Sequence, residues 1–177
     1  MHTFMRSIAL IAAVAVIGLG STGAFADKVK DAGSIDGTYV KRDIQVIPDQ
    51  EGHMLLLTES TGTSSNSGGL VDGFSVTVRE IADLRQGNGT QQGYVIYTKG
   101  SERQVVKIDG TVTTVMQDGQ PKTTFKGNYT IAPSDGTLGI EGQGTYSGYF
   151  KSENDYHVDW EGTRKIQKGA MASPDNN

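Results

Sequence analysis

From residue 37 to residue 166 the chain repeats a single pattern. Runs of β-branched and aromatic residues alternate with polar ones, and each run ends in a cluster of Gly, Asn, Asp or Ser. Such period-two alternation buries one face of a strand and wets the other. No window carries the i, i+3, i+4, i+7 apolar spacing of an amphipathic helix. The pattern restricts the chain to an all-β fold.

The breaks divide it into eight strands, expected at 37–47, 53–61, 73–84, 91–98, 103–116, 123–131, 144–151 and 156–166. Pro48 ends the first, because proline cannot donate to a ladder. Gln86-Gly87-Asn88-Gly89 and Asp118-Gly119 offer the positive φ of tight hairpins. Gly110, inside the fifth strand, is expected to mark a bulge or bend. Eight strands with short connections suit an antiparallel meander closed into a barrel, which leaves no free edge. A β-sandwich is the alternative. An eight-stranded barrel is just wide enough to be filled by side chains or to hold one small ligand.

The first 26 residues read as a secretory signal. Arg6 precedes the uncharged run from Ile8 to Leu19, and Ala24 and Ala26 form a small-residue cleavage site. The run is shorter than the roughly 20 apolar residues of a membrane span. The expected mature chain is a barrel domain at 27–166 with a flexible, weakly apolar tail at 167–177, located in the periplasm or secreted. No membrane insertion is expected after cleavage.

Cysteine is absent. Disulfides, thiolate metal sites and cysteine nucleophiles are therefore excluded. Without the leader, 15 basic residues face 20 acidic ones. That balance gives no electrostatic help in binding nucleic acid. No G-x-S-x-G elbow occurs, and no helix follows Gly87-Asn88-Gly89 to make a phosphate site. No cofactor is expected. Self-association is compatible with such a barrel, but no residue specifies it.

The C-terminal half carries Phe125-Lys126-Gly127-Asn128-Tyr129, then Gly136-Thr137-Leu138-Gly139, Gly142-Gln143-Gly144-Thr145-Tyr146-Ser147-Gly148 and Asp159-Trp160-Glu161-Gly162. This order resembles bacterial exported members of the allene oxide cyclase/dirigent-like barrel group. Leu57-Thr58-Glu59-Ser60-Thr61-Gly62-Thr63, Asp72-Gly73 and Gln86-Gly87-Asn88-Gly89 extend the likeness over most of the mature chain. The resemblance implies a barrel with an apolar cavity and a buried acid. Plant cyclases of the group isomerise an unstable fatty-acid epoxide, and dirigent proteins guide radical coupling. No distinctive motif aligns a catalytic glutamate with a position in this sequence.

Two glutamates are the candidate acids. Glu59 shares a face with Leu55 and Leu57. If that face is interior, Glu59 is a buried carboxylate fit for acid–base work; if Met54 and Leu56 point inward, it is a surface residue. Glu80 extends the apolar face of Phe74, Val76 and Val78, and would line a barrel mouth or form a rim salt bridge with a base. Tyr94, Tyr97, Tyr146, Tyr156 and Trp160 are the candidate ligand-binding residues, with core filling as the plain alternative. Tyr94 and Tyr97 face opposite sides of their strand. His157, Asp159 and Glu161 share one face of the last strand, as metal ligands or as a plain outer wall. A three-histidine metal site is excluded, because the mature chain has only His53 and His157.

Three functions follow in order. The first is an exported barrel binding a small, largely apolar ligand. The second is an isomerase or cyclase acting on a lipid-like substrate with a buried carboxylate. The third is a filled barrel serving as a structural or interaction module.

Overall fold

The computed structural model describes residues 27–167. The expected leader and residues 168–177 of the expected tail lie outside them. Eight strands follow one another: β1 (Val29–Val46), β2 (His53–Ser65), β3 (Ser75–Arg85), β4 (Asn88–Lys99), β5 (Glu102–Gln117), β6 (Gln120–Ile131), β7 (Ile140–Phe150) and β8 (Asp155–Ile166). All neighbours are antiparallel, and β1 also pairs with β8. The result is a closed up-and-down barrel, not a sandwich.

Closure needs a staggered register. The partners of Ile44 lead through Leu56, Ala82, Gln91, Gly110, Gly127, Tyr146 and Trp160 back to β1 at Gly33. That is eleven residues before the start, one of them the bulged residue between Tyr39 and Lys41. A stagger of ten across eight strands tilts them and widens the lumen.

The structure departs from the sequence reading at several strand ends and at Gly110: β2 runs on to Ser65, β4 already begins at Asn88 and takes in Asn88-Gly89, and β7 begins at Ile140. β1 begins at Val29 rather than at residue 37, because β8 pairs with Val29–Thr38. Gly110 causes no bulge, since its register runs unbroken on both sides. The irregularity is at Val40, which shifts the inward set of β1 from odd positions (Ile35, Tyr39) to even ones (Arg42, Ile44). Gln86-Gly87 and Asp118-Gly119 form two-residue turns with φ of 50°, 76°, 52° and 75°.

The two ends of the barrel differ. At one end the 66–74 and 132–139 loops bring in buried Val71, Phe74 and Leu138, which join the main core with Val76, Tyr97 and Ile140. Asn66 Nδ2 ties the first loop to Asp31 Oδ1 at 2.9 Å, and the Thr137 amide ties the second to the Arg103 carbonyl at 2.7 Å. Gln167, at the edge of the described chain, donates its amide to Gly139. The other end has the connections β1–β2, β3–β4, β5–β6 and β7–β8. There Ile44, Val46 and Met116 remain exposed, and the lumen reaches Ile44, Pro121, Lys122 and Glu153.

Glycine sets the packing inside. Five inward aromatic rings each sit directly opposite a glycine of the next strand: Trp160 opposite Gly33, Tyr156 opposite Gly37, Phe125 opposite Gly148, Tyr146 opposite Gly127 and Tyr129 opposite Gly144. A Cβ on Gly33 would stand 2.5 Å from the Trp160 ring, and one on Gly144 would stand 2.6 Å from the Tyr129 ring. Each missing side chain leaves room for a ring to lie along the wall instead of crossing the lumen.

Candidate functional site

The rings that lie against the wall leave the middle of the barrel hollow. A cavity of about 660 Å³ runs from the mouth residues Ile44 and Pro121 to Gln104 and Trp160 near the plugged end. Its wall is mainly aromatic and aliphatic, from Leu56, Val78 and Val95 to Phe125, Tyr129 and Phe150. The outward positions of the same strands carry Lys41, Arg79, Lys107, Asp109 and Lys126, all exposed.

Glu80 faces this cavity from β3, because the phase that buries Val76 and Val78 also turns Glu80 inward. The surface it retains belongs to the lumen. Its Oε1 accepts hydrogen bonds from the Tyr39 hydroxyl at 3.0 Å and the Thr58 hydroxyl at 3.2 Å. Gly93 lies directly opposite on β4, and a Cβ there would come within 2.8 Å of the Glu80 backbone carbon. Burial raises the carboxyl above the ordinary glutamate range, while the two hydroxyl donors act in the other direction. Among the described residues Glu80 takes no rim salt bridge; its partners are hydroxyls.

Around Glu80 the rings form one cluster. Tyr39 stacks on Phe150 with centroids 5.9 Å apart and tilts against Tyr156 at 5.4 Å. Phe125 meets both Phe150 and Tyr156 edge-on. Further in, the Ser60 and Tyr156 hydroxyls share a 2.7 Å hydrogen bond, and Gln91 donates to the Tyr146 hydroxyl at 2.9 Å. Burial pushes the Tyr129, Tyr146 and Tyr156 phenols up to about 12, so they act as neutral hydrogen-bonding groups. Two buried atoms on the cavity wall have no hydrogen-bond partner among the described residues: Trp160 Nε1 and Gln104 Oε1. Both are sealed under neighbouring atoms near the plugged end, so they are unsatisfied without being exposed to the lumen.

The sequence candidates divide by face. Glu80, Tyr97, Tyr146, Tyr156 and Trp160 line the lumen together. Glu59 does not. It sits on the outer wall directly opposite Arg79, with Nε to Oε2 at 2.7 Å. Met54, Leu56 and Thr58 take the inward phase of β2, which turns Leu55, Leu57 and Glu59 out. Tyr94 is corrected likewise: it stands on the outer wall between Arg79 and Lys107, 51 % exposed. His157 also faces outward, bridging Asp36 at 2.7 Å and Asp159 at 3.2 Å. No three-residue metal cluster occurs among the described residues.

Sequence reasoning missed Thr58, Gln91 and Gln104 as lumen residues. Alternation placed each on one face or the other, and only the phase of a neighbouring strand says which is inside. It also missed the Asp31–Arg164 pair, 2.5 Å apart and mostly buried near the plugged end, because β1 extends eight residues further than the pattern shows.

No family model matches this chain, and no curated protein matches it.

Proposed function

We propose that this protein is an exported barrel that binds one small, largely apolar molecule in its lumen. The observation that carries the reading is the cavity of about 660 Å³, open at the mouth and walled by aromatic and aliphatic side chains. Ligand sites fall in the range of roughly 300–1,000 Å³, mostly apolar with a few placed polar groups. Here the polar groups are Glu80 and the Tyr146 and Tyr156 hydroxyls. The outer wall supports a barrel surrounded by water, since Arg79, Lys107 and Asp109 would otherwise face lipid. The size of the lumen weighs against a filled structural module.

Native mass spectrometry of the protein purified gently from an exporting host tests the reading. A reproducible added mass that disappears on unfolding is the expected result. A bare mass, unchanged after soaking in a library of lipids and phenols, overturns it.

A second reading has its own observation. A carboxyl raised by burial and held by two hydroxyls suits a general acid or base. It supports an isomerase or cyclase acting on a lipid-like substrate, as the resemblance to the allene oxide cyclase/dirigent-like group implies. In that case Glu80→Gln still takes up the molecule but no longer converts it. Equal conversion by the variant overturns this reading.

A further inference from the structure

Asp31 and Lys151 on the border of the lumen have ionic partners among the described residues, and Glu80 within it has none. Asp31 pairs with Arg164 and accepts from Asn66 at 2.9 Å. Arg42 donates to Asn154 at 3.0 Å and to the Glu153 carbonyl, and its guanidinium lies 4.4 Å over the Tyr39 ring. Lys151 pairs with Asp36 at 2.7 Å. Lys122 and Glu153 stand at the mouth, one of each sign. Among the described residues, no cation forms a salt bridge with Glu80.

Its two oxygens are treated differently. Tyr39 and Thr58 both donate to Oε1, which orients the group. Oε2 receives no hydrogen bond among the described residues. A carboxylate held on one side and open on the other, in an apolar lumen, lacks a countercharge.

We propose that the lumen selects an organic cation: an apolar molecule carrying a protonated amine, its ammonium against Glu80 Oε2 and its apolar body along Tyr39, Phe125, Phe150 and Tyr156. The proposal rests on the small-molecule reading above and names the ligand class. A carboxylate ligand would bring a second negative charge into the same low-dielectric space, where repulsion is strong. A neutral ligand would bury apolar surface but leave Oε2 without a partner. A cation supplies the countercharge, and ring faces of the neighbouring cluster attract it as well. One face of that cluster already holds a cation, since Arg42 sits on Tyr39.

The test uses three molecules with one skeleton: phenylbutylamine, phenylbutanol and phenylbutanoate. Each is titrated calorimetrically into the mature protein and into Glu80→Gln, with N-phenylnaphthylamine fluorescence as a neutral probe of the lumen. The amine is expected to bind the native protein about tenfold more tightly than the alcohol, and the carboxylate more weakly than either. In Glu80→Gln the amine is expected to lose its advantage and bind no more tightly than the alcohol. If amine and alcohol bind the native protein equally, or if the variant keeps the amine preference, the proposal is overturned and the small-molecule reading survives. If neither the probe nor any of the three binds, both fall. Should Glu80→Gln not fold, the carbon NMR shift of the Glu80 carboxyl in the native protein decides. It is expected to move with the amine and not with the alcohol, and equal movement with both overturns the proposal.

Discussion

The Tyr146 hydroxyl occupies the space that a side chain on Gly127 would need. The two residues are directly opposed on β7 and β6, and a Cβ at 127 would stand 2.7 Å from that oxygen. The same hydroxyl lies 2.5 Å from where Gly110 would carry its Cβ. Gly127→Ala forces the ring into the lumen or the strands apart. It is expected to destabilise the barrel by about 1–3 kcal/mol, read from the midpoint of denaturant unfolding at unchanged slope.

Tyr146→Phe keeps the ring and removes the hydroxyl. Gln91, buried on β4, then loses the acceptor of its side-chain amide. The expected cost is about 1–3 kcal/mol, the penalty of an orphaned buried donor. The double variant Tyr146→Phe/Gln91→Leu is expected to recover part of it, as a double-mutant cycle would show.

Glu80 makes stability depend on pH in a definite direction. Its carboxyl is raised by burial above the ordinary 4.5, so the folded chain holds that proton more tightly than the unfolded one. Its contribution is complete below pH 4.5 and declines as pH rises through the raised value. Glu80→Gln lacks this decline. The difference in unfolding free energy, variant minus native, is therefore expected to grow as pH rises from about 4. A constant difference across that range would show that Glu80 titrates normally.

His157 is raised above its ordinary 6.5, first by its hydrogen bond to Asp36 and, more weakly, by Asp159. The folded state thus favours the imidazolium. Its contribution is complete below pH 6.5 and is lost as pH rises through the raised value. Asp36→Asn is expected to lower the His157 titration midpoint, followed by NMR of the ring protons. Lys151 also loses its partner in that variant, so His157→Gln serves as the control for the histidine alone.

Glu59 and Tyr94 are expected to be dispensable for uptake into the lumen. Glu59→Gln removes an outer-wall pair with a mostly exposed Arg79, worth about 0–1 kcal/mol. Tyr94→Ser removes a ring from the same wall. Binding of a neutral lumen probe is expected to be unchanged in both, whereas Tyr156→Ala, which empties part of the ring cluster, weakens it. Loss of probe binding in Glu59→Gln at unchanged stability would place the site elsewhere.

The amino-acid sequence by itself determined the all-β class, the eight strands, the absence of disulfides and the Asp118-Gly119 turn, because period-two alternation and positive-φ turn residues are local properties. It also placed Glu80 on an apolar face, since Phe74, Val76 and Val78 share its phase without competition. β2 was different. Met54-Leu55-Leu56-Leu57 is apolar in both phases, so either face satisfies the alternation. Only the ladder with β3, where Thr58 meets the inward Glu80 and the outward Glu59 meets Arg79, chose between them. The bulge after Tyr39 had no local mark either, yet it exchanges the two faces of β1 and brings Arg42 to the mouth. Facing is a property of the closed barrel: the stagger around eight strands must return to its starting strand, and that condition links residues more than a hundred positions apart.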